Sequence, residues 1–516
     1  MNSAFSQDEN LHAAGQGGDG AVPLFKCDVR GGRNRGHGQL SLSNSGLSAT
    51  AELRTLTGSM SSNPSFSPGS SLGSLLGSLL GSSSGSSNGQ KPSLGSNEGS
   101  NDGIRAFAAS SDLAETNAAI SDVISQMEDQ ADAIDLLAVF FTEHFVEDAQ
   151  ELSKRLRGAL SPRCMIGCSS GGVIGPGNSE KKQVHDSTGV DQGNVAGATP
   201  GIAVIAMRLP GVEAIPIRIE ADLFEALLDD DELIASRLEI DEETRAIVTL
   251  ADPFTTPLNE MLMVMNKSRG GGRITPVIGG LASAGTRFGS NRLLIDDEMT
   301  SEGLVAVVLS GPMVVDTVVS QGCRPIGKPM IITRGRGNVI EQLGGRQALA
   351  VLRETVEAMT PEQQKLLGQG MMLGIAMNEY KDTFGIGDFL VRGVLGVDPK
   401  TGAVGVADRI RVGQTVQFQV RDAQTAHEEM CHLLNKERQN PPGAALLFNC
   451  NGRGKKLFAE VDHERNLFRA ALPTTAFAGF FAAGEIGPVG SNNYIHGHTL
   501  AMALFRNGGP AEISAD

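Results

Sequence analysis

Along residues 117–141 apolar side chains recur at helical spacing, with Ile120, Val123, Ile124, Met127, Ala131, Ile134, Leu137 and Ala138 on one face. That spacing predicts one amphipathic helix. The segments 201–209, 213–219, 245–250, 303–311 and 312–319 are rich in Val and Ile and bounded by Gly or Pro, so they read as strands. Between them 220–236 reads as a helix with an acidic, solvated face. A second unit opens with a helix over 344–359, where Leu349, Leu352, Val356 and Met359 share a side. Residues 389–408 read as two strands around a turn at 398–402, and 414–420 alternates cleanly, which predicts an antiparallel meander. Asp422 then caps a helix whose stripe is Ala426, Met430, Leu433 and Leu434, and an apolar strand runs to Cys450. The fold class is α/β in the mixed α+β sense, with largely antiparallel mixed sheets flanked by helices.

Residues 58–97 change this picture, because they hold a single charged residue, Lys91, and are dominated by Ser and Gly, including LGSLLGSLLGS at 72–82. Such a stretch buries too little apolar area to offset its ordering entropy, so 1–103 is expected to be a disordered leader. The folded chain is then expected to divide at 104–335 and 336–508. A net charge of −16 disfavours nucleic acid and anionic membrane surfaces as partners. Six scattered cysteines, at 27, 164, 168, 323, 431 and 450, fit free thiols in an intracellular, most simply cytoplasmic, protein. A plastid destination is the alternative, weakened by Asp8, Glu9, Asp19 and Asp28 near the start. No apolar run reaches the roughly 18 residues of a membrane span.

Candidate chemistry concentrates in ALLFNCNGRGKKLF at 445–458, where a buried strand ends in Cys450, Asn451 and an Arg453 set between two glycines. The guanidinium fork suits a carboxylate or phosphate, and the flanking glycines leave room for that anion. Glu485 is its obvious internal partner. The pair either staples neighbouring strands or divides an amino-acid-like ligand between them, Arg453 taking the carboxylate and Glu485 the ammonium. Asn451, Asn492 and Asn493 would add neutral hydrogen bonds, and Cys450 and His496 are placed in the same ligand site. Cys450, with His496 and His498 nearby in the motif block, is the candidate nucleophile of an enzymatic alternative, although a cysteine ending an apolar strand is more often a small buried hydrophobe. His427 and Cys431 stand four apart on one helix, as do Cys164 and Cys168 in the sequence, and neither pair completes a four-ligand zinc set. No metal or cofactor is expected. The basic segments 267–273 and 334–337 lack interleaved aromatics, against a single-strand nucleic-acid platform. CMIGCSSGGVIG at 164–175 and PVIGGLASAG at 276–285 form a weak repeat: an apolar strand leaving through glycine and small residues, which serves either tight strand packing or a pocket floor.

LLFNCNGRG at 446–454, AGFFAAGEIGPVG at 478–490 and HGHTLAMALF at 496–505 together resemble the C-terminal FIST domain, and MIGCSSGGVIG with VIGGLASAG resembles the N-terminal one. The resemblance implies two FIST-like domains and an intracellular sensory or signalling module. Its ligands would be small molecules, amino acids or small carboxylates among them, with a protein partner as the other kind of target. In F-box relatives such domains recruit ubiquitination substrates. Here the residues before the FIST region show no three-helix F-box pattern, only Ser and Gly. The expected protein is therefore a non-enzymatic binding module, with a Cys450 enzyme and a substrate-recruiting scaffold as alternatives.

Overall fold

The computed structural model describes residues 103–508 except 128–132, 178–198, 268, 271–272, 382, 386 and 461. The expected leader lies outside the described residues, as do 268 and 271–272 of the basic segment 267–273.

The helix expected over 117–141 is two elements. Thr116–Met127 is helical, and Leu136–Thr142 is a strand with every residue buried. In that strand Leu136, Ala138 and Phe140 face one core while Leu137, Val139 and Phe141 face another. A strand covered on both faces shows no polar alternation, so its apolar run extends the helical pattern by coincidence.

Three sheets repeat one plan. In each, an outer strand pairs antiparallel with a second, which pairs antiparallel with a third, which lies parallel to a fourth. The first sheet uses Arg105–Ser111, Ile202–Arg208, Leu136–Thr142 and Cys164–Ser170. The second uses Glu213–Ile219, Leu304–Ser310, Thr244–Ala251 and Val277–Leu281. The third uses Met313–Ser320, Leu500–Asn507, Ala444–Cys450 and Ala476–Ala482. Helices Ala149–Leu160, Leu258–Met265 and His463–Ala471 provide the crossovers that the parallel pairs require.

The fifth strand of each sheet is exchanged in a cycle. After Cys164–Ser170 the chain crosses to place Val173–Ile174 on the third sheet. After Val277–Leu281 it places Leu293–Ile295 on the first, and after Ala476–Ala482 it places Glu485–Val489 on the second. The inner faces share one core, in which Phe140 lies 5.0 Å from Phe480 and Phe448 lies 5.7 Å from Phe480 between ring centroids. Each outer face packs on its own helices.

The repeat seen in the sequence occupies equivalent places in the first two sheets, and GFFAAGEIG at 479–487 is the third copy. Gly167, Gly279 and Gly479 sit opposite Val139, Thr249 and Leu447. A Cβ there would fall 2.4, 1.7 and 1.9 Å from the carbonyl oxygens of those three residues. Tight strand packing accounts for these glycines.

Between the first strand of the third sheet and its helix Ala423–Glu437 lies an inserted barrel. Thr415–Arg421, Met330–Arg336, Val339–Leu343, Ala403–Val406, Phe389–Asp398 and Met371–Ala376 pair in sequence, and the last closes on the first. The expected meander is therefore corrected: 389–398 and 403–406 do form a hairpin, but Thr415–Arg421 pairs with Met330–Arg336 and Met371–Ala376 instead. The expected junction at 335/336 lies inside the barrel strand Met330–Arg336. Among the described residues no helix is long and apolar enough to cross a membrane.

Candidate functional site

The strand Ala444–Cys450 ends where the barrel enters and leaves the third unit, beside Ser320–Cys323 and Arg421–Asp422. Arg453 is fully buried there. Its Nε donates to Glu464 Oε1 at 2.7 Å, and its Nη1 donates to the carbonyls of Ser320 at 3.3 Å and His498 at 3.2 Å. The guanidinium carbon stands 5.9 Å from the Phe458 ring centroid. Burial pulls the guanidinium pKa down, but the Glu464 carboxylate outweighs it and holds the group firmly charged. Arg453 therefore takes Glu464 as its carboxylate partner, in place of the expected Glu485. The glycines around it are also differently employed. A Cβ at Gly452 would lie 2.5 Å from His498 Nδ1, so the imidazole fills the space expected for an anion, and Gly454 adopts a left-handed φ of 55°.

Glu485 is fully buried at the start of its strand. Its Oε2 accepts from the Thr499 amide at 3.1 Å and hydroxyl at 2.7 Å. Burial pushes its pKa up to about 8, against the Thr499 and Cys450 hydrogen bonds and the more distant charge of Arg453. Cys450 Sγ accepts from the amides of Gly452 at 3.3 Å and His498 at 3.1 Å. Burial and then the Glu485 charge raise the thiol to about 12, so it is protonated at neutral pH. His498, with φ 63°, is held down at about 3 by burial and by Arg421 and Arg453.

Around these residues lies a second ring of buried polar groups. Asn449 donates to Glu464 Oε2, and Arg421 donates to the Gly452 carbonyl. Glu429 Oε2 accepts from Ser320 Oγ at 2.8 Å and from the Gly322 amide at 2.7 Å. Four buried atoms of this network have no hydrogen-bond partner: Arg453 Nη2, Glu485 Oε1, His498 Nδ1 and Asn449 Oδ1. Next to it, a cavity of about 20 Å³ opens between Asn449, Glu464, Arg465, Leu447 and Phe481, room for roughly one water.

The other sequence candidates separate from this cluster. His496 lies opposite Glu485 in register and donates from Nε2 to the Gly487 carbonyl at 2.9 Å, and burial followed by Arg392 lowers it to about 4. Asn492 and Asn493 stand at the far end of the same hairpin. The Asn493 side chain ties Thr275 and Val277 at 3.0 and 2.9 Å, and the Asn492 amide reaches only the Tyr494 hydroxyl. Asn451 is turned toward Gly171, whose Cβ position is 3.3 Å from its Oδ1.

Glu464, Glu429, Asn449, Arg421, Ser320 and Thr499 escaped the sequence reading. One signal was present: Glu429 falls between Ala426 and Met430 on the apolar stripe of its helix, where an acid needs a buried partner. Among the described residues no group of three or more His, Cys, Asp or Glu side chains is arranged to hold a metal ion.

Two uncharacterized proteins are similar to this chain. One of Mycobacterium tuberculosis (strain H37Rv) is 46% identical over 259 residues, covering 50% of this chain and 67% of its own. One of Mycobacterium bovis is 44% identical over 259 residues, covering 50% and 66%. A crystal structure of a cyanuric acid hydrolase from A. caulinodans aligns with a TM-score of 0.26 at 10% identity, over 79% of this chain and 100% of that one, too slight a likeness to bear on function. The FIST N domain matches residues 135–346 and the FIST C domain matches 348–488; the chain thus belongs to the FIST family, carrying both domains in that order.

Proposed function

We propose that this protein is a sensory binding module of the FIST type, acting inside the cell in signal transduction, that takes a small amino-acid-like or carboxylate ligand at the buried cluster of Arg453, Glu485, Cys450 and His498. The observation that carries this reading is the set of unpartnered buried atoms in one network. Native interiors leave few polar groups unsatisfied, and those that remain call for a missing water, ion or ligand. Arg453 Nη2 is a donor for a carboxylate oxygen and Asn449 Oδ1 is an acceptor for an ammonium, while Glu485, protonated at neutral pH with Thr499 on its Oε2, offers Oε1 to an ammonium once that proton is released. Entry requires the 452–456 turn to part from the barrel connections at Ser320–Cys323 and Arg421, so binding is coupled to the barrel's seat on the third unit. That coupling is what a sensor needs. Binding without turnover is supported by Cys450, whose thiol is buried and takes its hydrogen bonds from backbone amides. The five described cysteines are all free thiols, in keeping with a reducing compartment.

The test is a thermal-shift screen of the full chain against the proteinogenic amino acids and small mono- and dicarboxylates. A ligand specific to the native state raises the melting temperature as its concentration rises. A hit retained in Cys450→Ser supports binding; a hydrolytic turnover of the hit that is lost in Cys450→Ser would replace this reading with the enzymatic one. A screen with no shift at millimolar concentrations would count against the site.

A further inference from the structure

Beside that cluster, along helices Ala423–Glu437 and His463–Ala471 and the loop that leads into the second, four side chains join in a line. Cys431 and His427 are four apart on helix Ala423–Glu437, which places them on one face. The Cys431 Sγ lies 3.6 Å from His427 Nε2. His427 Nδ1 lies 3.0 Å from His463 Nε2, and His463 Nδ1 lies 3.2 Å from Glu460 Oε2. His463 begins the next helix and stacks on Phe458 at 4.3 Å between centroids, which fixes its ring plane.

The carboxylate at the end of the line sets the direction of every bond in it. Glu460 accepts, so His463 carries its hydrogen on Nδ1 and presents Nε2 as an acceptor. His427 then donates from Nδ1, and its Nε2 is left to accept from the thiol. The two nitrogens of His427 point to different partners, so the four groups form a hydrogen-bonded line and do not surround a single ion. Cys431 is also the one thiol among the five described that is partly exposed; Cys164, Cys168, Cys323 and Cys450 are buried.

We propose that Cys431 is the oxidant-modified thiol of this protein, converted to a sulfenic acid by small peroxides with His427 as the base. The Cys431 S–H proton passes to His427 Nε2 as Sγ attacks one peroxide oxygen. The O–O bond breaks, and the leaving hydroxide takes the proton back from the imidazolium as water. With hydrogen peroxide the balance is thiol plus peroxide to sulfenic acid plus water, with sulfur oxidised by two electrons and the peroxide reduced by two. His463 and Glu460 are positioning residues that keep His427 in the accepting tautomer, and the Glu460 charge supports the imidazolium that forms. Burial and the Glu428 charge raise the Cys431 thiol, while burial and then His463 lower His427, so at neutral pH the pair rests as thiol and neutral imidazole, poised for base-assisted rather than spontaneous attack.

The experiment treats the full chain with hydrogen peroxide at neutral pH, traps sulfenic acid with dimedone and follows each cysteine peptide by mass spectrometry. Cys431 is expected to be trapped at least about tenfold faster than Cys164, Cys168, Cys323 or Cys450. His427→Gln should slow it by about tenfold or more. Glu460→Gln, at an exposed position that leaves packing alone, frees the tautomer and should slow it by about threefold. Cys431 trapping no faster than that of the four buried thiols, or at an unchanged rate in either variant, would overturn the proposal.

Discussion

Arg453 and Glu464 form a buried ion pair, Nε to Oε1 at 2.7 Å, that joins the turn after strand Ala444–Cys450 to the helix beginning at His463. Both side chains are within 5% of full burial. A charge so placed is tolerable only while its partner remains. Glu464→Ala leaves the guanidinium uncompensated and also strips Asn449 of its acceptor, so unfolding free energy should fall by about 3 to 5 kcal/mol. Urea titration of the two proteins measures this, and a loss below about 1 kcal/mol would show that the pair does not hold the turn.

The three-sheet plan makes a paired prediction for glycines. Gly279→Ala puts a Cβ 1.7 Å from the Thr249 carbonyl oxygen and must push apart two central parallel strands, so it should cost more than about 3 kcal/mol or prevent folding. Gly158, in helix Ala149–Leu160, has nothing within 4 Å of its would-be Cβ. Gly158→Ala should stabilise by about 0.5 to 1 kcal/mol. Thermal melts of both variants check the contrast.

Stability should depend on pH through Glu485. Its native pKa of about 8 lies above the ordinary 4.5, so between those values the native state holds a proton that the unfolded chain releases. Stability from this group is complete below about 4.5 and is lost as pH rises through about 8. His496 and His498 act oppositely and in a lower window: their depressed values, about 4 and 3, cost stability as pH falls below 6.5. Glu485→Gln retains an acceptor for Thr499 and removes only the Glu485 slope. The melting temperature of the wild type minus that of the variant should therefore fall steadily from pH 5 to pH 8.5, and a flat difference would contradict the assignment.

Much of this architecture was legible in the pattern of residues. The strand to Cys450, the Asp422 cap and the Ala426, Met430, Leu434 stripe stand where spacing put them, because each is set by neighbours close in sequence. The element 136–142 was not, since burial on both faces erases the alternation that identifies a strand. The cyclic strand exchange was half visible: two copies of the small-residue exit could be matched, but the third carries Phe480 and Phe481 where the others carry Cys168 and Ser169 or Gly280 and Leu281. Arg453 was recognised and its partner was not. Glu464 and Glu485 are both acids some distance along the chain, and only the packing of helix His463–Ala471 against the third sheet decides between them.

Calorimetric titration of the wild type and Arg453→Lys tests the small-ligand site at Arg453 and Glu485. The titrant is the amino acid or carboxylate giving the largest thermal shift, at a temperature where both proteins are folded. Lysine keeps the charge and loses the planar fork, including the Nη2 donor, so affinity should be weaker by about 1 to 3 kcal/mol in the variant. Equal affinity in the two proteins, with only the melting temperature lowered, would leave Arg453 a staple between the barrel and the third sheet and rule out a ligand site there.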